Sequence, residues 1–532
     1  MPSFLVTLFG LPSPSYMLIQ RTFIVSTFIL LAGWASAQII QPERIEIEVD
    51  QNSDDFVVVS ADDRGLVLFR NTEERDKKGK KLWEFIHYDT SLKEQWKQSY
   101  ALDHSLLLQG YDYDQGQLCV LFQDGPYHDK PMEMMSLSVA TGDTSFHAIR
   151  RIVPVDLEFF EIVGQTVVLG GNVNYKPVVV HYDMFNRKIK VLPDIYREDG
   201  EIIDIIPNNT DNTFDVLIAE TTPQKVKTVT VKAYDQYSNL LQSTPLKPKD
   251  RSNILDAQVT GFDGEKQFLA GTFGPKRSRY SRGIFVASLQ PDGTQQMRYY
   301  QYADLENFFG YMRERREERV KRRIAKKKRE GKKIRLNYRM VVHELISDDD
   351  KYIMLGEAYY PKYNNYYYNG YGHAPSSRYN NMYFDGYRYT HAVAVCFDNK
   401  GELLWDHAFK LDNAKSMELR QLVHVSTKDD QVVLMYSYEG EIKTKVISDN
   451  GEVKDDITSP IKLTYETDEI KNRDQDVVGI TKWYDDYFYV HGIQDIKDVA
   501  HAGSGLSRKV FFINKVAYNL KDKQSSGLPI EN

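Results

Sequence analysis

Residues 397–405 read FDNKGELLW: the end of an apolar strand, a tight Asp-Asn-Lys-Gly turn, and a return strand closing on tryptophan. The same design recurs as YDTSLKEQW at 88–96, SVATGDTSF at 138–146 and YDMFNRKIK at 182–190. It returns as YDQYSNLLQ at 234–242, SLQPDGTQQ at 288–296 and SDNGEVKDD at 448–456, with a degenerate copy near Asn514-Lys515. Asp, Asn and Gly between two β-rich runs are hairpin chemistry, because these residues accept the backbone conformations of a tight reversal. From turn to turn the spacing is roughly fifty residues, the length of one four-stranded propeller blade.

Ahead of each such turn lie two apolar runs joined by a short Asp/Gly/Gln turn. Examples are FVVVSADDRGLVLF (56–69), SLLLQGYDYDQGQLCVLF (105–122) and VVGITKWYDDYFYVHGI (477–493). A unit is therefore four strands, and the chain is expected to be an all-β, seven- or eight-bladed propeller over residues 44–520. The segment RIEIEVD (44–50) is expected to lend the last blade a strand and close the ring. Middle strands buried on both faces explain why these runs are continuously apolar rather than alternating. The 36 Tyr and 25 Phe agree, since aromatic residues favour strands. Two stacked β-sandwiches would match the strand content but not the sustained period.

The N-terminus reads as a secretory signal over residues 1–37. Arg21 precedes the apolar run FIVSTFILL (23–31), which is followed by Ala35-Ser36-Ala37. Translation starting at Met17 would give this signal a conventional length. The run is too short for a membrane span, so no integral membrane protein is expected. Only two cysteines, Cys119 and Cys396, are present. Export without a disulfide framework points to the periplasm or cell surface of a Gram-negative bacterium, with both thiols buried and free. Residues 521–532 read as a flexible tail.

Between the turns at 288 and 397 the period doubles, and two insertions account for the excess. Residues 304–337 read as a helical arm, with Asp304 as cap, Phe309, Met312, Val320 and Ile324 on one face, and Gly331 as stop. Between Arg313 and Arg335 stand 14 Lys/Arg against 4 Asp/Glu, on a chain whose net charge is −7. Candidate binding residues here are Arg315, Arg316, Arg319, Arg322, Arg323, Lys326, Lys327 and Lys328. Such a cationic arm suits an envelope protein or a polyanion, namely anionic lipid, lipopolysaccharide or an acidic glycan. The plain alternative is a solvated projection, or an arm folded back on the acidic body. Nucleic acid is disfavoured by the export signal. Residues 359–390 form the second insertion, read as a Tyr/Asn/Gly-rich loop with 11 Tyr between 359 and 389. Tyr366, Tyr367, Tyr368 and Tyr371 are its candidate contact residues, because tyrosine offers a large contact area with one polar tip. A loop packing on itself is the competing reading.

No nucleophile elbow, phosphate loop or zinc helix is present, and no catalytic, metal or cofactor residue is expected. The paired aspartates 62–63, 348–350, 429–430 and 485–486 fall in first-hairpin turns, where turn chemistry accounts for them. The tryptophan-closed turns at 397–405 and 88–96 resemble the blade motifs of WD40-like and quinoprotein-like propellers. The signal, low cysteine content and Tyr/Asn-rich insertion resemble uncharacterised exported proteins of Bacteroidota. Most units lack the tryptophan, so a quinone cofactor is not implied. The leading expectation is a binding or scaffold module of the cell envelope. The alternative is a carbohydrate-active hydrolase or lyase with carboxylates converging on the central channel.

Overall fold

The computed structural model describes residues 38–49 and 56–519, apart from 128, 151, 250–251, 262–265, 277, 349, 366–381, 413, 472–477 and 499–506. The signal at 1–37 and the tail at 521–532 lie outside the described residues.

Every fifty-residue unit folds into its own antiparallel sheet, with strands paired in chain order, and eight sheets result. The protein is an eight-bladed β-propeller. The innermost strands of blades 1 to 4 are Val57–Ser60, Leu106–Asp114, Asp156–Val163 and Gly200–Asn208. Those of blades 5 to 8 are Asn253–Val259, Arg339–Asp348, His424–Lys428 and Val478–Lys482. Successive inner strands contact one another around the ring, as in blades 1 and 2, 2 and 3, 4 and 5, and 7 and 8. Blade 8 is completed from the other end of the chain. Strand Arg44–Glu48 pairs with Ser507–Asn519, in register Arg44 to Asn514 and Glu48 to Val510. Closure thus follows the expected segment.

A lone four-stranded sheet cannot bury both faces, and the core shows how the ring solves this. Apolar clusters straddle neighbouring blades. One joins Phe69, Phe85 and Trp83 of blade 1 to Val120 and Phe122 of blade 2, and another joins Leu66 and Tyr88 to Trp483 and Ile513 of blade 8. The tryptophan-closed turns are fasteners of the same seams. Trp96 Nε1 donates to Val139 O at 2.8 Å, and Trp405 Nε1 donates to Asp449 O at 3.2 Å, each reaching the third-strand turn of the next blade. Across the closing seam, Trp483 Nε1 donates to Gly65 O at 3.1 Å. Cys119 and Cys396 are buried and free.

The turn aspartates behave as turn chemistry requires. Asp62, Asp429, Asp430 and Asp485 all adopt positive φ, a region Asp tolerates better than most residues. Gly65, at φ 117°, leaves no room for a Cβ, which would meet Tyr88 O at 1.9 Å.

Strand counting assigns the insertions to a face. In each blade the first and third turns lie on one face, and the second turn and the link to the next blade lie on the other. The arm is a link between blades 5 and 6, and the tyrosine insertion is the second turn of blade 6, so both occupy one face, here the insertion face.

Within 304–337 the helix is shorter than expected. Helix α1 spans Glu314–Arg329, follows Arg313 without a side-chain cap, and stops at Gly331 with φ 60°. Asp304 does not cap it; its carboxylate pairs with Lys328 at 2.8 Å instead. Residues 304–312 are turns because Phe308 and Phe309 are buried between blades 5 and 6, with Ile324 packed in the same cluster. The tyrosine insertion is likewise not a loop from 359. Strands Lys351–Asn365 and Met382–Asp398 carry their ladder outward, pairing Tyr359 with Tyr389 and Tyr363 with Phe384. Tyrosine favours strands, and alternation continues past the blade edge.

Candidate functional site

The arm is docked rather than projecting. Asp406 of blade 6 accepts hydrogen bonds from the backbone N–H groups of Glu306 and Asn307, both at 2.8 Å, one to each carboxylate oxygen. Tyr311 stacks on His391 at 3.7 Å, while Phe308 and Tyr338 meet the same ring edge-on. His391 is fully buried on the strand that leaves the tyrosine hairpin, so both insertions root at this residue. Burial lowers its imidazole to about 3, and it stays neutral.

With Val320 and Ile324 turned to the propeller, the basic residues of α1 are left outward. Some are neutralised: Lys321 by Glu317 at 2.7 Å, Arg322 by Glu318 at 3.2 Å and Lys326 by Glu330 at 3.9 Å. Arg315, Arg316, Arg319 and Arg323 are exposed and have no ion pair among the described residues, whereas Lys327 is half-buried. Tyr366, Tyr367, Tyr368 and Tyr371 lie outside the described residues. At the described base of the hairpin, Tyr360, Tyr363 and Tyr383 are exposed. Beside them Asp385 draws in Lys415, Arg388 and Lys362. The Lys415 hydrogen bond leads in holding its carboxyl down to about 2.

A crevice of about 1120 Å³ opens on the insertion face beside the hairpin root. Blade 4 contributes Glu201, Thr222 and Lys225, blade 5 Asn253 and Arg279, and blade 6 Tyr359.

The channel holds what the sequence reading missed. Inner strands of blades 2 to 6 carry Asp112, Glu161, Asp204, Asp256 and Glu344 within otherwise apolar runs such as DLEFFEIV and NILDAQV. An acid inside such a run was the available signal. Most of these carboxylates fasten blades. Asp112 accepts from Ile162 N at 2.7 Å, Asp114 from Gly164 N at 3.1 Å, and Asp256 from Val342 N at 2.8 Å. Asp204 accepts from Gln258 Nε2 at 2.6 Å. Burial raises Asp112 and Asp256 to about 6. Burial, then the charges of Asp112 and Asp204, raise Glu161 to about 9, so this carboxyl is protonated at neutral pH. The opposite wall carries His424 and His491, both lowered to about 4 by burial. Asp112 and Tyr111 face Asn209, Tyr489 and His491 around a second opening of about 600 Å³.

These features belong to a β-propeller with a cationic, tyrosine-bearing face. No family model and no curated protein matches the chain. Solved propeller structures are similar in outline. The β-propeller domain of the Trilobed protease from Pyrococcus furiosus is 10% identical with a TM-score of 0.37, over 80% of this chain and 99% of that one. The polysaccharide lyase Uly1 is 10% identical at 0.38, over 90% and 100%. Porphyromonas gingivalis dipeptidyl peptidase 4 is 10% identical at 0.41, over 84% of this chain and 58% of its own length. Among the described residues no helix is long and apolar enough to cross a membrane.

Proposed function

We propose that this protein is an exported binding or scaffold module of a Gram-negative cell envelope that holds a polyanionic partner through α1 and the tyrosine hairpin. The observation that carries this reading is the exposed arginines of α1, Arg315, Arg316, Arg319, Arg323 and Arg329, which have no ion pair among the described residues and lie on the same face as the hairpin. The outward side of α1 bears no large apolar residue, because Val320 and Ile324 pack on the propeller. Contact is therefore electrostatic, without insertion into acyl chains. Lipopolysaccharide, anionic vesicles and neutral vesicles, offered at low and high salt, test it. Lipopolysaccharide or anionic vesicles should bind, the binding should weaken with salt, and Arg315→Gln/Arg316→Gln/Arg319→Gln/Arg323→Gln should abolish it. Binding that survives this variant overturns the reading.

Glu161 favours a second reading, a carbohydrate-active enzyme. A carboxyl kept protonated at neutral pH beside other carboxylates is suited to donate a proton to a leaving sugar oxygen. Screening acidic and neutral glycans for turnover, with Glu161→Gln as the inactive control, tests it.

A further inference from the structure

We propose that the crevice under blades 4 to 6 binds a short stretch of an acidic oligosaccharide, at a site separate from the outward face of α1. Sites for drug-sized ligands hold roughly 300–1,000 Å³, so about 1120 Å³ leaves room for several sugar rings. The walls set the uncharged hydrogen-bonding groups Thr221, Thr222, Asn253 and Ser278 between charged side chains, with Tyr359 as an aromatic surface. That mixture suits a ligand with many hydroxyls and one stacking face.

Charge is zoned across the crevice. Lys227 is neutralised by Glu201 at 2.9 Å. Lys225 and Arg279, on the lips of blades 4 and 5, are exposed and have no ion pair among the described residues. Behind Tyr359 its ladder partner Arg339 lies over Tyr280 at 5.3 Å, and Arg339 Nε is buried with no hydrogen-bond partner among the described residues. A buried donor without a partner is uncommon in folded proteins and calls for an acceptor. Asp199 on the blade 4 side accepts hydrogen bonds from hydroxyls but repels a densely charged chain. A uronic acid unit offers hydroxyls to that side and a carboxylate to Arg279 and Lys225. Polyphosphate offers an anionic group but no hydroxyl.

Titration calorimetry with the whole protein decides it, using an oligogalacturonate hexamer, a neutral cello-oligosaccharide of equal length and polyphosphate. The hexamer should bind, and the double variant Lys225→Ala/Arg279→Ala should weaken it at least tenfold with an unchanged melting temperature. The α1 arginine variant described above should keep hexamer binding, which separates this site from the proposed envelope contact. Four results would overturn the proposal: no hexamer binding, equal binding of the neutral sugar, tighter binding of polyphosphate, or loss with the α1 variant alone.

Discussion

Asp406 shows how one side chain anchors a segment with little regular structure. Its two oxygens take the backbone N–H groups of Glu306 and Asn307, and burial still raises its carboxyl above the ordinary range. Asp406→Ala should cost about 1–3 kcal/mol, the penalty for leaving buried donors unpaired. Urea denaturation measures that loss, and hydrogen exchange should show the Glu306 and Asn307 amides losing protection. Buried carboxyls, Glu161 in the channel and Asp215 on the second strand of blade 4, set the pH dependence. A carboxyl raised in the folded state binds its proton there more tightly than in the unfolded chain, so its contribution falls as pH rises from the ordinary value near 4 towards the raised one. Glu161 (to about 9) and Asp215 (to about 7) should therefore lower stability as pH climbs to 9. The lowered histidines, His391 at about 3 and His424 and His491 at about 4, act oppositely and withdraw stability as pH falls below about 6.5. Melting temperature should peak in mildly acidic buffer, and Glu161→Gln should flatten the fall above pH 7. An unchanged alkaline limb would remove Glu161 from this account.

At the scale of the element, α1 is held by few apolar contacts. Ile324 is buried, with Val320 and Met312 partly buried against the same cluster. Such an element sits at the low end of local stability. Ile324→Asp should detach it without unfolding the ring. Limited trypsin digestion should then cut within 315–329 roughly tenfold faster than in the parent, while the melting temperature of the propeller holds. A matching fall in melting temperature would mean that α1 is part of the cooperative core. The hairpin needs no such anchor, because its strands continue the ladder of blade 6.

Over the whole molecule, ring closure is the decisive contact. Removing residues 38–48 takes away the strand beside Ser507–Asn519, leaving a long open edge that invites pairing with another chain. The truncated protein should melt lower and associate, read by thermal melting and size-exclusion chromatography. A monomer with parental melting would show that the closing strand adds nothing. The two faces also differ in charge. Turn aspartates such as Asp62, Asp211, Asp430 and Asp485 lie on the face opposite the arginines of α1. A polyanion approaching such a molecule is turned to the basic face before contact.

The repeated Asp/Gly turn and its spacing were legible in the sequence because a hairpin is built by residues adjacent in the chain. The four-stranded unit and the basic stretch of α1 follow from such local signals, whereas the pairing of Arg44–Glu48 with Val510–Asn514 joins opposite ends of the chain. Blade number was left at seven or eight because the last turn, near Asn514-Lys515, is degenerate, and its blade is completed only by the strand Arg44–Glu48 from the other end of the chain. The start of α1 at Glu314 rather than Asp304 was decided by burial of Phe308 and Phe309 against a distant blade. Residues as far apart as Asp199 and Tyr359 share one crevice, and Asp112, Glu161 and Asp204 share one channel. Only ring closure brings them together, since a carboxylate's neighbours across an axis are set by the packing of whole blades.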